Sequence, residues 1–77
     1  MKLYTVTDNN YITEEYGFNN VVHISTSLEY TTLFVREHFD IELELQEGQI
    51  SVQYTYEEFD EEYGERFIEI RVQEITE

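Results

Sequence analysis

The sequence predicts a single α+β domain over residues 1–77: an antiparallel sheet of four or five strands with one helix packed on one face. Three observations lead there. Alternating runs rich in β-branched and aromatic residues occur in both halves of the chain. One stretch between them carries a helix-cap signal followed by apolar residues at helical spacing. A chain of 77 residues leaves room for one hydrophobic core and no more. Disorder is the competing reading of so acidic a chain. An aromatic content of 16%, the absence of proline and the alternation argue against it.

The elements follow in order. Residues 2–7, Lys2-Leu3-Tyr4-Thr5-Val6-Thr7, alternate and form the first expected strand. Asp8-Asn9-Asn10 is a cluster of turn formers. Residues 11–20 carry no clear period, and residues 21–24, Val21-Val22-His23-Ile24, form a short second strand. Thr26 with Glu29 three residues on is a capping-box pattern, and Ser27 is a second candidate cap. Leu28, Val35 and Phe39, with Thr31 or Thr32 between them, share one face of a helix expected over about residues 27–38. Ile41, Leu43 and Leu45 then alternate with Glu42, Glu44 and Gln46, and Ile50, Val52, Tyr54 and Tyr56 alternate with Ser51, Gln53 and Thr55. With Glu47-Gly48 between them, these two runs are expected to form a hairpin. An acidic segment, residues 57–65, precedes a last strand in which Ile68, Ile70 and Val72 alternate with polar neighbours.

Charge excludes several function classes. The chain has 18 acidic and 4 basic residues, a formal net charge of −14. Such a surface repels a nucleic-acid backbone or an anionic membrane, so neither is an expected partner. No unbroken apolar run is longer than the three residues Leu33-Phe34-Val35, and no membrane span or signal-peptide core is expected. Cysteine is absent, which removes disulfides and thiolate chemistry. The expected location is the cytoplasm. Catalysis is not expected either: carboxylates abound, but no pair is singled out by its surroundings, and His23 and His38 stand in no readable triad. No cofactor is implied, because three isolated glycines cannot build a phosphate loop. Around residues 57–65 an EF-hand register starting at Glu58 aligns Asp60 and Glu62, yet puts Tyr63 where glycine is required and Gly64 one position late. Calcium binding there is expected to be weak, with no dedicated metal site.

The charge is distributed unevenly. Residues 1–39 carry 5 acidic and 2 basic side chains, whereas residues 40–77 carry 13 and 2. Glu42 and Glu44 lie two residues apart on an expected strand, roughly 6.7 Å between Cα atoms, and Glu69 is expected to add to the same outer face. Double-stranded DNA carries a phosphate every ~3.4 Å of axis on each strand. Rows of carboxylates extended by Glu57, Glu58, Asp60, Glu61, Glu62 and Glu65 therefore imitate a phosphate backbone, with Phe59 and Tyr63 as apolar anchors.

On those residues the chain resembles the small acidic DNA-mimic proteins of phages, and within that class it is most similar to the phage inhibitors of the bacterial nucleoid protein HU. The likeness is one of charge and size over the C-terminal half: the run Ile41-Glu42-Leu43-Glu44-Leu45, the segment 57–65, and Glu69. It implies a non-enzymatic inhibitor that occupies the DNA-binding surface of a basic host protein, HU being the expected target. The alternatives are an anti-defence phage protein (anti-restriction, anti-CRISPR or a DNA-glycosylase inhibitor) and a hydrophobic protein-interaction module that uses its tyrosines or a sheet edge. An exposed outer strand is also compatible with a homodimer. Neutralising first-half residues such as Glu14 and Glu29 is expected to matter less than neutralising the acidic second half.

Overall fold

The computed structural model describes residues 1–11, 17–56 and 65–76. Its elements are β1 (Lys2–Tyr11), β2 (Gly17–Ser25), α1 (Leu28–Phe39), β3 (Ser51–Thr55) and β4 (Glu65–Glu74). The four strands form one sheet in the order β2-β1-β4-β3, and every neighbouring pair is antiparallel. This is the expected class: one helix and a four-stranded antiparallel sheet.

Strand alternation sets the core. Tyr4 and Val6 on β1 and Ile68 and Ile70 on β4 are buried and lie on one face, since Val6 pairs with Ile70 and Tyr4 with Val72. Val35 from α1 and Leu43 and Leu45 from the segment after it belong to the same cluster, with Leu28, Phe34, Phe39 and Val52 packed around it. Val6, Val35, Ile68 and Ile70 are fully buried.

Asp8, Asn9 and Asn10 are not a turn. They continue β1, pairing with Ile68, Phe67 and Arg66 of β4. Pairing with β4, reinforced by the contact of Asp8 with Arg66 and of Asn9 with the Phe67 carbonyl at 3.4 Å, outweighs their local preference. Asp8 takes a two-pronged contact from Arg66, at 3.0 Å from Nε and 2.9 Å from Nη2. Buried Asn9 donates to the Thr7 hydroxyl at 3.0 Å, and Asn10 donates to Asp8 at 3.3 Å. The second strand is longer than residues 21–24 for a related reason, because it follows the lengthened β1 back from Tyr11↔Gly17 to Tyr4↔Ser25.

The helix begins at Ser27, not at Thr26. The Ser27 hydroxyl accepts from the Tyr30 N–H at 3.2 Å, satisfying one of the free donors of the first turn. Thr31, fully buried, returns its hydroxyl to the Ser27 carbonyl at 2.8 Å, and Thr32 does the same to Leu28 at 3.0 Å. These back-bonds let two threonines occupy a helix interior without an unsatisfied polar atom. Asp40 ends the helix in the left-handed conformation (φ 53°), its N–H bonded to the Arg36 carbonyl at 3.1 Å.

The expected hairpin between residues 41–45 and 50–56 does not form. Residues 41–46 are not a strand, and β3 pairs with β4 instead. Glu47-Gly48 does turn, with the Gln49 N–H on the Gln46 carbonyl at 3.0 Å and Gly48 at φ 88°, but it joins an unpaired segment to β3. The alternation within 41–46 is nonetheless real: Leu43 and Leu45 are buried while Glu42, Glu44 and Gln46 are exposed.

A candidate acidic interaction surface on α1 and residues 41–47

The left-handed cap at Asp40 reverses the chain, and the segment after it shares a groove with α1. Leu28, Glu29, Thr32, Leu33, Arg36, Glu44 and Leu45 line a cavity of about 430 Å³. A neighbouring one of about 310 Å³ shares Thr32, Arg36 and Glu44 and adds Glu42 and Leu43. Leu43 and Leu45 are buried in this lining, whereas Leu33 and the carboxylates are exposed.

Of the residues singled out from the sequence, Glu42 and Glu44 are exposed here, on the side of the segment away from buried Leu43 and Leu45. Glu69 is elsewhere. It lies between Ile68 and Ile70 on β4, so strand alternation turns it to the opposite face of the sheet from the core. There it is 19% exposed and meets Arg71 at 3.4 Å, which offsets its charge. The expectation of one outer face shared by Glu42, Glu44 and Glu69 is therefore corrected. Had residues 41–45 been a strand of the sheet, their polar side would have faced the same way as Glu69. Because the segment covers the core from outside the sheet, its polar side does not. Glu57, Glu58, Phe59, Asp60, Glu61, Glu62 and Tyr63 lie outside the described residues, as does the side chain of Glu65.

Four carboxylates that were not singled out lie with Glu42 and Glu44 along the same stretch of chain. Glu29 lines the groove with Glu44, and Glu37, Asp40 and Glu47 are exposed on α1, its cap and the following turn. Glu29, a first-half acid, thus shares the groove lining with Glu44. The helical period of residues 27–38 was the available signal, since it places Glu29 off the buried Thr31 and Val35 face.

The cations are placed with equal asymmetry. Among the described residues, Asp8 pairs with Arg66, Glu69 with Arg71, and Glu74 with the N-terminal amine at 3.6 Å. Arg66 has its pKa raised, chiefly by the hydrogen bond to Asp8, and its guanidinium also lies 4.9 Å from the Tyr56 ring. All three pairs belong to the sheet or its ends. Glu29, Glu37, Asp40, Glu42, Glu44 and Glu47 have no such partner among the described residues, and Arg36 is the one Lys or Arg in residues 28–50. Six acids against one arginine give that stretch a net charge of −5.

Such a surface can attract and orient cationic groups, and the leucines lining it can take the aliphatic stems of long basic side chains. Its carboxylates are exposed to solvent. Among the described residues no three His, Asp or Glu side chains gather into a metal site. No helix among them is long and apolar enough to cross a membrane. Comparison with protein-family models, with curated proteins and with solved structures yields no match to this chain.

Proposed function

We propose that this protein is a non-enzymatic DNA mimic that covers the DNA-binding surface of a basic protein and excludes DNA from it. The observation that carries the reading is the partition of charge among the described residues: six carboxylates along residues 28–50 have no ion-pair partner there, whereas the paired ones belong to the sheet. A surface built only for solubility gains nothing from keeping its cations away from its acids, because mixed signs dissolve as well. A surface that must meet a cationic one does gain, since opposed potentials speed encounter and reject acidic partners. The acidic segment 57–65, with six carboxylates in nine residues, enlarges the charge available to such an encounter. The resemblance to phage inhibitors of HU makes a nucleoid protein of that kind the expected target, in the cytoplasm of a bacterial host.

The test is displacement of a labelled duplex from purified HU, followed by fluorescence anisotropy. Binding of this protein and of DNA should be mutually exclusive and should weaken as salt rises. Neutralising Glu29, Glu42, Glu44 and Glu47 together as glutamines removes four charges at nearly constant shape. At about 0.5 kcal/mol for each exposed pair, the loss is ~2 kcal/mol, or roughly thirtyfold in the concentration needed for half displacement. Glu69→Gln and Glu74→Gln serve as controls and should stay within about twofold of wild type. Failure of wild type to displace DNA, or undiminished displacement by the folded quadruple variant, overturns the proposal.

A further inference from the structure

Residues 16–28 contain no Asp, Glu, Lys or Arg, the longest such run in a chain that is 29% charged. That run supplies β2, an edge strand with only β1 beside it among the described residues. Along a free edge, alternate backbone N–H and C=O groups point away from the sheet, and soluble proteins ordinarily guard them with charge. Here the guard is missing. Val21 is 56% exposed and Ile24 58% exposed on the strand itself. Tyr30, whose ring lies 5.3 Å from that of His23 on β2, is 58% exposed beside it.

We infer that β2 is a homodimer interface, at which two copies of this chain pair antiparallel about a two-fold axis and join their sheets into one of eight strands. The choice of partner follows from charge. A basic protein gains nothing electrostatically from an edge without carboxylates, so the edge does not suit the partner that the acidic surface suits. A second copy carrying −14 is repelled everywhere except where charge is absent, and β2 is the longest place where it is absent. An antiparallel two-fold edge is also self-complementary by construction. Register follows from the same rule: with the axis near Val22, the charge-free runs of the two copies face each other. Val22 is also the extra residue of the bulge opposite Val6 and Thr7, so the axis leaves an unbulged stretch of β2 on either side.

The other free edge, β3, is less suited. It has five residues against nine, and Glu47 and Glu57 stand close to its two ends in the sequence. Nine residues at ~3.3 Å each give an edge of about 30 Å, enough for a small interface of the transient class with a micromolar dissociation constant.

Sedimentation equilibrium on the full chain from about 10 µM to 1 mM tests this. The mass should rise from 9.3 kDa toward twice that value, and the dimer should tighten with salt, which screens the repulsion between copies. Binding to a basic target moves the opposite way. The double variant Val21→Glu/Ile24→Glu, changed at two exposed sites, should weaken the dimer at least about tenfold by setting like charges across the two-fold. Mixing it with Val21→Lys/Ile24→Lys should restore the doubled mass, which shows that both variants are folded. Ile50→Glu, beside β3, should dimerise as wild type does. The inference is overturned if the wild-type mass stays at 9.3 kDa throughout, if the Glu variant dimerises normally, if the mixture does not pair, or if Ile50→Glu breaks the dimer instead. The β2 substitutions leave the charge of residues 28–50 unchanged, so DNA displacement by those variants reports on the mimic separately.

Discussion

Replacing Glu44 with glutamine should make the protein more stable while weakening its binding. Glu42 and Glu44 are exposed on the same side of an extended segment, so their backbone positions are ~6.7 Å apart. Two unit charges at that distance in water repel by about 0.6 kcal/mol. With a Debye length near 30 Å in ~0.01 M salt, about four-fifths of this survives, or ~0.5 kcal/mol. With a length near 3 Å in ~1 M salt, about one-tenth survives. Glutamine keeps the shape and can still accept the weak contact from Gln46 Nε2, at 3.5 Å in the native protein. For a domain of this size ~0.5 kcal/mol corresponds to a rise in Tm of roughly 2–4 °C. Thermal unfolding followed by circular dichroism in low and high salt measures it. A gain that fades with salt is the expected result, and Glu69→Gln, which loses its partner Arg71, should show no gain. If Glu44→Gln lowers Tm at low salt, or raises it equally at all salt concentrations, then Glu44 is not held against its neighbours' repulsion and the unpaired acidic surface is wrongly drawn.

Two further outcomes follow from the fold. Ser27→Ala should cost about 1 kcal/mol in urea unfolding, because it removes the cap on Tyr30, whereas Thr26→Ala should stay within about 0.5 kcal/mol. His23 has its pKa lowered from the ordinary 6.5 by burial first and by His38 second. The unfolded chain therefore takes up the proton more readily, so this contribution to stability is complete above pH 6.5 and is lost as pH falls below it. Replacing His23 with phenylalanine, which can keep the stack on Phe34 at 4.3 Å, should flatten the fall in stability between about pH 7.5 and 5.5 measured by chemical denaturation.

How much of this was legible in the sequence differs by element. The helix was, because capping chemistry and a 3.6-residue period act locally; only the choice between Thr26 and Ser27 needed geometry. The continuation of β1 through Asp8-Asn9-Asn10 was not, because it depends on Arg66 and Phe67, nearly sixty residues away. Residues 41–46 show the sharper limit. Alternation reports that a chain is extended with one side buried, and Leu43 and Leu45 are indeed buried. It does not report whether the backbone has a neighbour to pair with. β3 pairs with β4 alone, and its outer edge takes no strand among the described residues, while Leu43 and Leu45 are buried in the core cluster. The segment therefore covers the core without entering the sheet, and that difference separates Glu42 and Glu44 from Glu69.

The same difference bears on why the acids of this chain are divided as they are. Carboxylates on neighbouring strands stand close together and repel across the ladder, so a sheet tolerates them best when a cation accompanies each. Asp8 with Arg66 and Glu69 with Arg71 follow that rule within the sheet. A helix rim and an unpaired extended segment impose no such spacing, and their side chains can spread into water, where each unpaired acid costs little. A strongly negative surface therefore costs a small domain least on elements outside its sheet. Among the described residues, α1 and residues 41–47 are those elements, and leaving the segment unpaired keeps its acids clear of the cross-strand repulsion that a sheet position would bring.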